Sequence, residues 1–128
     1  MPGFRMSNET MGQRGWIGID LDGTLAHYDT WHGVDHIGEP IPAMLIRVKQ
    51  WLTEGRDVRI FTARVSQGGG EGLQARQYIE RWCALHLGTV LPITCTKDFA
   101  MIELWDDRAV QVEANTGRVV GHSTRGLE

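Results

Sequence analysis

Cysteine and proline are scarce, with two and four copies in 128 residues. Cys83 and Cys95 are too few for a framework of bridges, so the chain suits a reducing compartment such as the cytoplasm. No run approaches the roughly eighteen apolar residues of a membrane-spanning helix. The segment from Met1 to Arg14 lacks the basic stretch and apolar stretch of a signal peptide, and it reads as a polar leader. Met6 and Met11 within it offer alternative starts, and the sequon at Asn8 would matter only in a secreted chain. Basic charge is not in excess: 13 Lys and Arg against 16 Asp and Glu leave a net charge of −3. That balance excludes neither small anionic substrates nor metals, but it speaks against a dedicated nucleic-acid binder or a polybasic membrane protein. There is no internal repeat. The run Gly68-Gly69-Gly70 is not a P-loop, because no Gly-Lys-Ser/Thr comes after it.

What is present describes one folded domain. Hydrophobic residues make up 41% and charged residues 23%, close to globular averages. A chain of this size buries roughly two-thirds of its unfolded surface. Trp16 to Asp20 reads as a buried strand, and residues 26–39 as a polar flap. Pro40 and Pro42 announce a helix with Leu45, Val48 and Leu52 on one face, Met44 and Trp51 beside it, and a stop at Gly55. Asp57 to Phe61 reads as a second strand. A glycine-rich loop, Arg64 to Gly72, leads to a helix over Glu71 to Leu87 with Ile79, Trp82, Cys83 and His86 inward. Short strands come next at Ile93–Thr96 and Ile102–Trp105, then a hairpin turn at Asn115-Thr116-Gly117 between Val110–Val112 and Arg118–Val120. Alternating strands and helices predict a three-layer α/β/α Rossmann-like sandwich with a mainly parallel sheet. The domain spans residues 15–120, and 121–128 read as a tail. Ligands of such sheets bind beyond the carboxyl ends of the strands. Asp20, Thr62, Lys97 and the pair Asp106-Asp107 all fall at those ends.

The densest signal is Ile17-Gly18-Ile19-Asp20-Leu21-Asp22-Gly23-Thr24-Leu25. Asp20 and Asp22 face the same side of extended backbone while Leu21 faces the core. Gly23 permits a turn and close approach of backbone N–H groups to an anion. Average residue usage gives a chance Asp-x-Asp-Gly-Thr-Leu a likelihood of about one in ten thousand for such a chain. The segment resembles the first motif of the haloacid dehalogenase superfamily of phosphohydrolases. The resemblance continues in order through Val58–Thr62 as the second motif, Lys97 as the third-motif lysine, and Ile102–Asp107 as the fourth.

The resemblance implies a phosphatase, a phosphoric monoester hydrolase. Asp20 would be the nucleophile that forms an aspartyl-phosphate, and Asp22 the acid, then the base. Thr62 and Lys97 would hold the phosphate oxygens. Up to four carboxylates and a phosphate dianion at one site call for a hard divalent cation, and Mg²⁺ is the expected cofactor. Asp20, Asp106 and the backbone carbonyl of Asp22 would ligate it, with Asp107 binding through water or orienting Lys97. Gly23, Thr24, His27 and Arg64 are candidate substrate contacts. Little room exists for a cap domain, so the chain resembles a capless member. Its open site suits a phosphorylated small molecule, a phosphorylated macromolecule, or cover by a neighbouring subunit of a homo-oligomer. The flap carries His27, His32 and His36 with Asp29 and Asp35. It reads as a substrate-facing element with Tyr28 and Trp31 able to stack on a ring, in preference to a zinc site. Two alternatives stand beside a general phosphatase. One is a nucleotidase or polynucleotide-end phosphatase, and the other a non-catalytic module that binds Mg²⁺ or phosphate.

Overall fold

A computed structural model describes residues 14–121. The expected leader and tail, apart from Arg14 and Gly121, lie outside the described residues. Among those residues four strands form one sheet, β1 (Trp16–Ile19), β2 (Asp57–Phe61), β3 (Ile93–Thr94) and β4 (Met101–Trp105). Two α-helices, α1 (Pro42–Thr53) and α2 (Gly69–Leu87), and a 3-10 turn at Ala63–Val65 complete the regular structure. β1 is buried at every position, as expected of a central parallel strand covered on both faces. Pro42 opens α1, where its missing N–H costs nothing. Gly88, at φ 78°, closes α2 in the left-handed conformation.

The sheet order is β3-β2-β1-β4 and every pairing is parallel. This is a Rossmann-like α/β fold, with no cap domain among the described residues. Ile19, Val58 and Ile60 face one side, in a single cluster with Met44 and Val48 of α1 and Ala75, Ile79, Trp82 and Cys83 of α2. Both helices therefore cover the same face. The steps β1 to β2 and β2 to β3 run in one direction, and right-handed crossovers in one direction place their helices on one side.

A helical third layer is not found among the described residues. It would need a helical crossover in the reverse direction, and the return from β3 to β4 is made by residues 95–100, which hold no helix. That segment passes over the second face instead. Asp98 accepts a 2.9 Å bond from Trp16 Nε1. The indole of Trp16 lies under the Arg59 guanidinium at 4.7 Å and beside Phe61 at 6.4 Å.

Several local expectations shift. The buried stripe of α1 is centred on Met44 and Val48, and Leu45 is only half-buried. β3 stops at Thr94 and not Thr96. The segment 64–72 is not a loop throughout, since α2 takes in Gly69, Gly70 and Glu71. Gly72 packs so closely on the Gln67 carbonyl that a Cβ would stand 2.2 Å from it. The hairpin near the end is present as an antiparallel bridge, Val112 to Val119, turned by Asn115 and Gly117 with positive φ.

Candidate active site

Strand register brings the acids together. β1 and β4 are parallel neighbours with Ile19 opposite Trp105. The next residues, Asp20 and Asp106, therefore leave the sheet side by side, and the Asp20 N–H bonds the Trp105 carbonyl at 2.9 Å. On the other flank Ile19 pairs with Ile60, which delivers Thr62 to the same edge. A cavity of about 750 Å³ opens there, lined by Asp20, Asp22, Thr62, Arg64, Asp106 and Asp107 among others. Three strand ends and the turn after β2 thus place their chemistry at the carboxyl end of the sheet, where parallel α/β folds bind ligands.

Asp20, Asp106 and Asp107 each offer a carboxylate oxygen, and these oxygens lie within 4.8 Å of one another. Burial, chiefly, pushes the Asp20 carboxyl up to about 8, helped by its hydrogen bond to Asp107 and the charges of Asp106, Asp107 and Asp22. Burial also pushes Asp107 upward, but hydrogen bonds from Thr24 and Asp20 outweigh it and hold that carboxyl below its usual range. In the metal-free protein below about pH 8, Asp20 therefore favours its protonated form, hydrogen-bonded to Asp107. Three carboxylate oxygens this close together form an all-oxygen donor set that could hold a small hard cation such as Mg²⁺. Such a cation takes over the screening that the proton provides.

This proton makes stability depend on pH. With its folded value raised from 3.8 to about 8, Asp20 keeps a proton that the unfolded chain has already lost. The associated stability is complete below the unfolded value and is lost as pH rises through the folded one. In EDTA the melting temperature should fall between about pH 5 and 8 through this group. Millimolar Mg²⁺ should raise it most at pH 8, where proton competition is weakest. Thermal melts with and without Mg²⁺ check this, and an absence of Mg²⁺ stabilisation at pH 8 would refute the cation site.

Gly23 and Thr24 serve the acids more directly than a substrate. Gly23 has φ 94°, and a Cβ there would stand 2.6 Å from an Asp107 carboxylate oxygen. Its N–H is bonded to the Ala26 carbonyl at 2.8 Å. Thr24 Oγ1 donates to Asp107 Oδ1 at 2.9 Å and accepts the Asp107 N–H at 2.9 Å. Gly23→Ala should therefore displace Asp107 and weaken Mg²⁺ binding by about 10- to 100-fold, the usual cost of disturbing an outer support. Calorimetric titration with Mg²⁺ measures it; unchanged affinity would separate Asp107 from the metal.

Asp22 lies beyond the buried Leu21 and is held by Arg64. The Arg64 Nε donates to Oδ2 at 2.7 Å and Nη2 to Oδ1 at 2.9 Å, a bidentate charge-assisted pair. The Arg64 side chain is only 5% exposed. It also donates to the carbonyls of Val34 at 3.3 Å and His36 at 2.9 Å, and stacks on Trp31 at 4.8 Å. Arg64 therefore ties the flap to the acid at Asp22. The flap is pinned at its base by the bridge Ala26 to Pro40 and the bond from Trp82 Nε1 to the Gly38 carbonyl, 2.9 Å. Gly38 allows this closure, because a Cβ would meet the His27 carbonyl oxygen at 2.1 Å.

The remaining candidates divide. Thr62 is buried at 3% exposure and lines the cavity. Its Oγ1 accepts the Arg64 N–H at 3.1 Å, capping the 3-10 turn, and a hydroxyl that accepts in this way still has its hydrogen to donate. His27 borders a separate space of about 90 Å³ with His32, His36, Asp22 and Arg64. His32 pairs with Asp29 at 3.1 Å, and the three histidines are not brought into the acid cluster. Lys97 is exposed on the segment after β3 and is not among the residues lining the large cavity; Cys95 is. Sequence reasoning passed over Phe61, Val34, Gln67, Gln74 and Arg108, all of which line it. Only Phe61 carried a signal, as the last residue of a strand that ends at the site.

No family model matches the chain, and no curated protein matches it. A solved structure, that of a conserved protein coded by a locus from Bacteroides thetaiotaomicron, is similar with a TM-score of 0.53 and 20% identity over 75% of this chain and 78% of that one. At that identity the likeness concerns the fold.

Proposed function

We propose that this protein is a Mg²⁺-dependent phosphate-monoester hydrolase of the haloacid dehalogenase type, acting through an aspartyl-phosphate at Asp20. The observation that carries the proposal is the triad of Asp20, Asp106 and Asp107 with oxygens within 4.8 Å, at a cavity that Asp22 and Thr62 also line. Asp20, Asp106 and Asp107 would hold the cation, which supplies charge neutralisation for the phosphate and keeps Asp20 ionised. A carboxylate oxygen of Asp20 attacks phosphorus and the ester P–O bond breaks. Asp22, protonated from solvent once its pair with Arg64 opens, gives that proton to the leaving oxygen, which departs as an alcohol. Asp22 then takes a proton from water, whose oxygen attacks the aspartyl-phosphate, releasing orthophosphate and restoring Asp20.

The Asp22–Arg64 pair adds a requirement. Both Asp22 oxygens are engaged by the guanidinium, so one of these bonds gives way when Asp22 acts on the leaving group. A phosphate dianion in the cavity competes for the same guanidinium and supplies that release. With Lys97 off the cavity lining, Arg64 and Arg108 are the cations beside the phosphate.

The testing experiment is phosphate release from a mixed panel of esters, with Mg²⁺ and with EDTA, using Asp20→Asn as the blank. Release that needs Mg²⁺ and vanishes in the variant supports the hydrolase. Mg²⁺ binding without release from any ester supports the non-catalytic module instead.

A further inference from the structure

The cavity is far larger than a phosphate group requires. At about 750 Å³ it lies within the range of roughly 300–1,000 Å³ typical of pockets that enclose a whole small molecule. The acids occupy one part of it. The rest of the wall is of another chemistry: Tyr28 and Trp31 from the flap, Phe61 from the end of β2, and two glutamines, Gln67 and Gln74. Trp31 is 55% exposed and Tyr28 40%, so both rings present open surface at the cavity that they line. Trp31 is nonetheless held in place, because Arg64 stacks on it at 4.8 Å while anchored to Asp22. An indole stacked on one cation and still more than half exposed keeps ring surface for a ligand.

Aromatic surface together with planar amides is the chemistry that recognises a flat, nitrogen-bearing ring. Bases stack on aromatic side chains irrespective of sequence, and a glutamine carboxamide pairs donor and acceptor with a base edge. We infer that the cavity takes a free nucleoside monophosphate, with its phosphate toward the acids and its base on the wall of Tyr28, Trp31 and Phe61. This rests on the phosphatase reading. A net charge of −3 and Glu71 on the cavity lining disfavour a polyanionic strand, so the mononucleotide is preferred to a nucleic-acid end.

The test compares nucleoside 5′- and 3′-monophosphates with ribose 5-phosphate and a 5′-phosphorylated oligonucleotide, all with Mg²⁺. A mononucleotide should exceed ribose 5-phosphate in kcat/KM by about tenfold or more, as expected for one stacked base. That discrimination should collapse in Trp31→Ala and return in Trp31→Phe, which keeps a ring. Equal rates on mononucleotides and ribose 5-phosphate, unchanged by Trp31→Ala, would overturn the base subsite and leave the phosphatase reading standing. Preference for the oligonucleotide would overturn the free mononucleotide. No release from any ester would defeat the phosphatase reading. The subsite would then be decided by calorimetry on Asp20→Asn, where adenosine 5′-monophosphate should bind more tightly than ribose 5-phosphate; equal affinities would overturn it.

Discussion

Replacing Asp20 by asparagine should abolish phosphate release, by about 10⁴-fold or more, while the protein stays folded. An amide is a poor nucleophile toward phosphorus and a poor ligand for a hard cation, so both tasks assigned to Asp20 fail together. The fold should not suffer. The Asp20 carboxyl is pushed up to about 8 by burial, by its hydrogen bond to Asp107 and by three neighbouring acids. In metal-free protein at pH 8 its charged form is poorly accommodated. Asparagine is neutral at every pH and carries N–H donors for Asp107. In EDTA the variant should therefore melt above the wild type at pH 8, with a smaller gap at pH 5, where Asp20 is itself protonated. Mg²⁺ should raise the melting temperature of the wild type more than that of the variant. Phosphate assays and calorimetric melts in parallel check both halves. Normal activity in the variant would end the nucleophile assignment, and a lower metal-free melting point at pH 8 would contradict the electrostatics of the acid cluster.

Asp22→Asn should separate substrates by their leaving groups. An alkyl phosphate needs a proton on its departing oxygen, and loss of the general acid should slow its turnover by about 10²- to 10⁴-fold. A phenolic ester leaves without that help, so its first step should survive. Water activation is also lost, so phenol should appear as a burst of about one equivalent per site before slow turnover sets in. No burst should accompany the alkyl ester. Equal losses in the first step for both esters would remove Asp22 from the role of acid. Asparagine keeps one carbonyl oxygen for Arg64, and the Val34 and His36 carbonyls still receive the guanidinium. The flap should therefore stay attached, which circular dichroism and a thermal melt will show.

Much of this site was legible along the chain because its parts are local. A short apolar run ending in Asp20-Leu21-Asp22-Gly23 carries both a strand and its polar terminus, since a buried strand must be apolar and its end is where polar groups reach solvent. β4 is an edge strand, half-buried to exposed, and was legible instead from its β-branched and aromatic residues ending at Asp106-Asp107. The flap was visible as a polar stretch between two regular elements. Residues whose role depends on a distant partner were not legible. Arg64 meets Asp22 across 42 positions, Thr24 meets Asp107 across 83, and Trp16 meets Asp98 across 82. Nothing in the local pattern names those partners. Gly23 was correctly read as a special position, but the group that crowds it is the Asp107 carboxylate.

The chain by itself determined the alternation of strands and helices and the acids at the strand ends, because periodicity, proline and glycine act over a few residues. Only the tertiary structure decided which ends are neighbours. β4 lies beside β1 and not beside β3, its predecessor in the chain. That single exchange of order aligns Ile19 with Trp105, and so sets Asp20 against Asp106 and Asp107. It also puts Lys97 on the segment that crosses the face opposite the helices. Strand order is settled by competition among all buried surfaces at once, which no window of sequence contains.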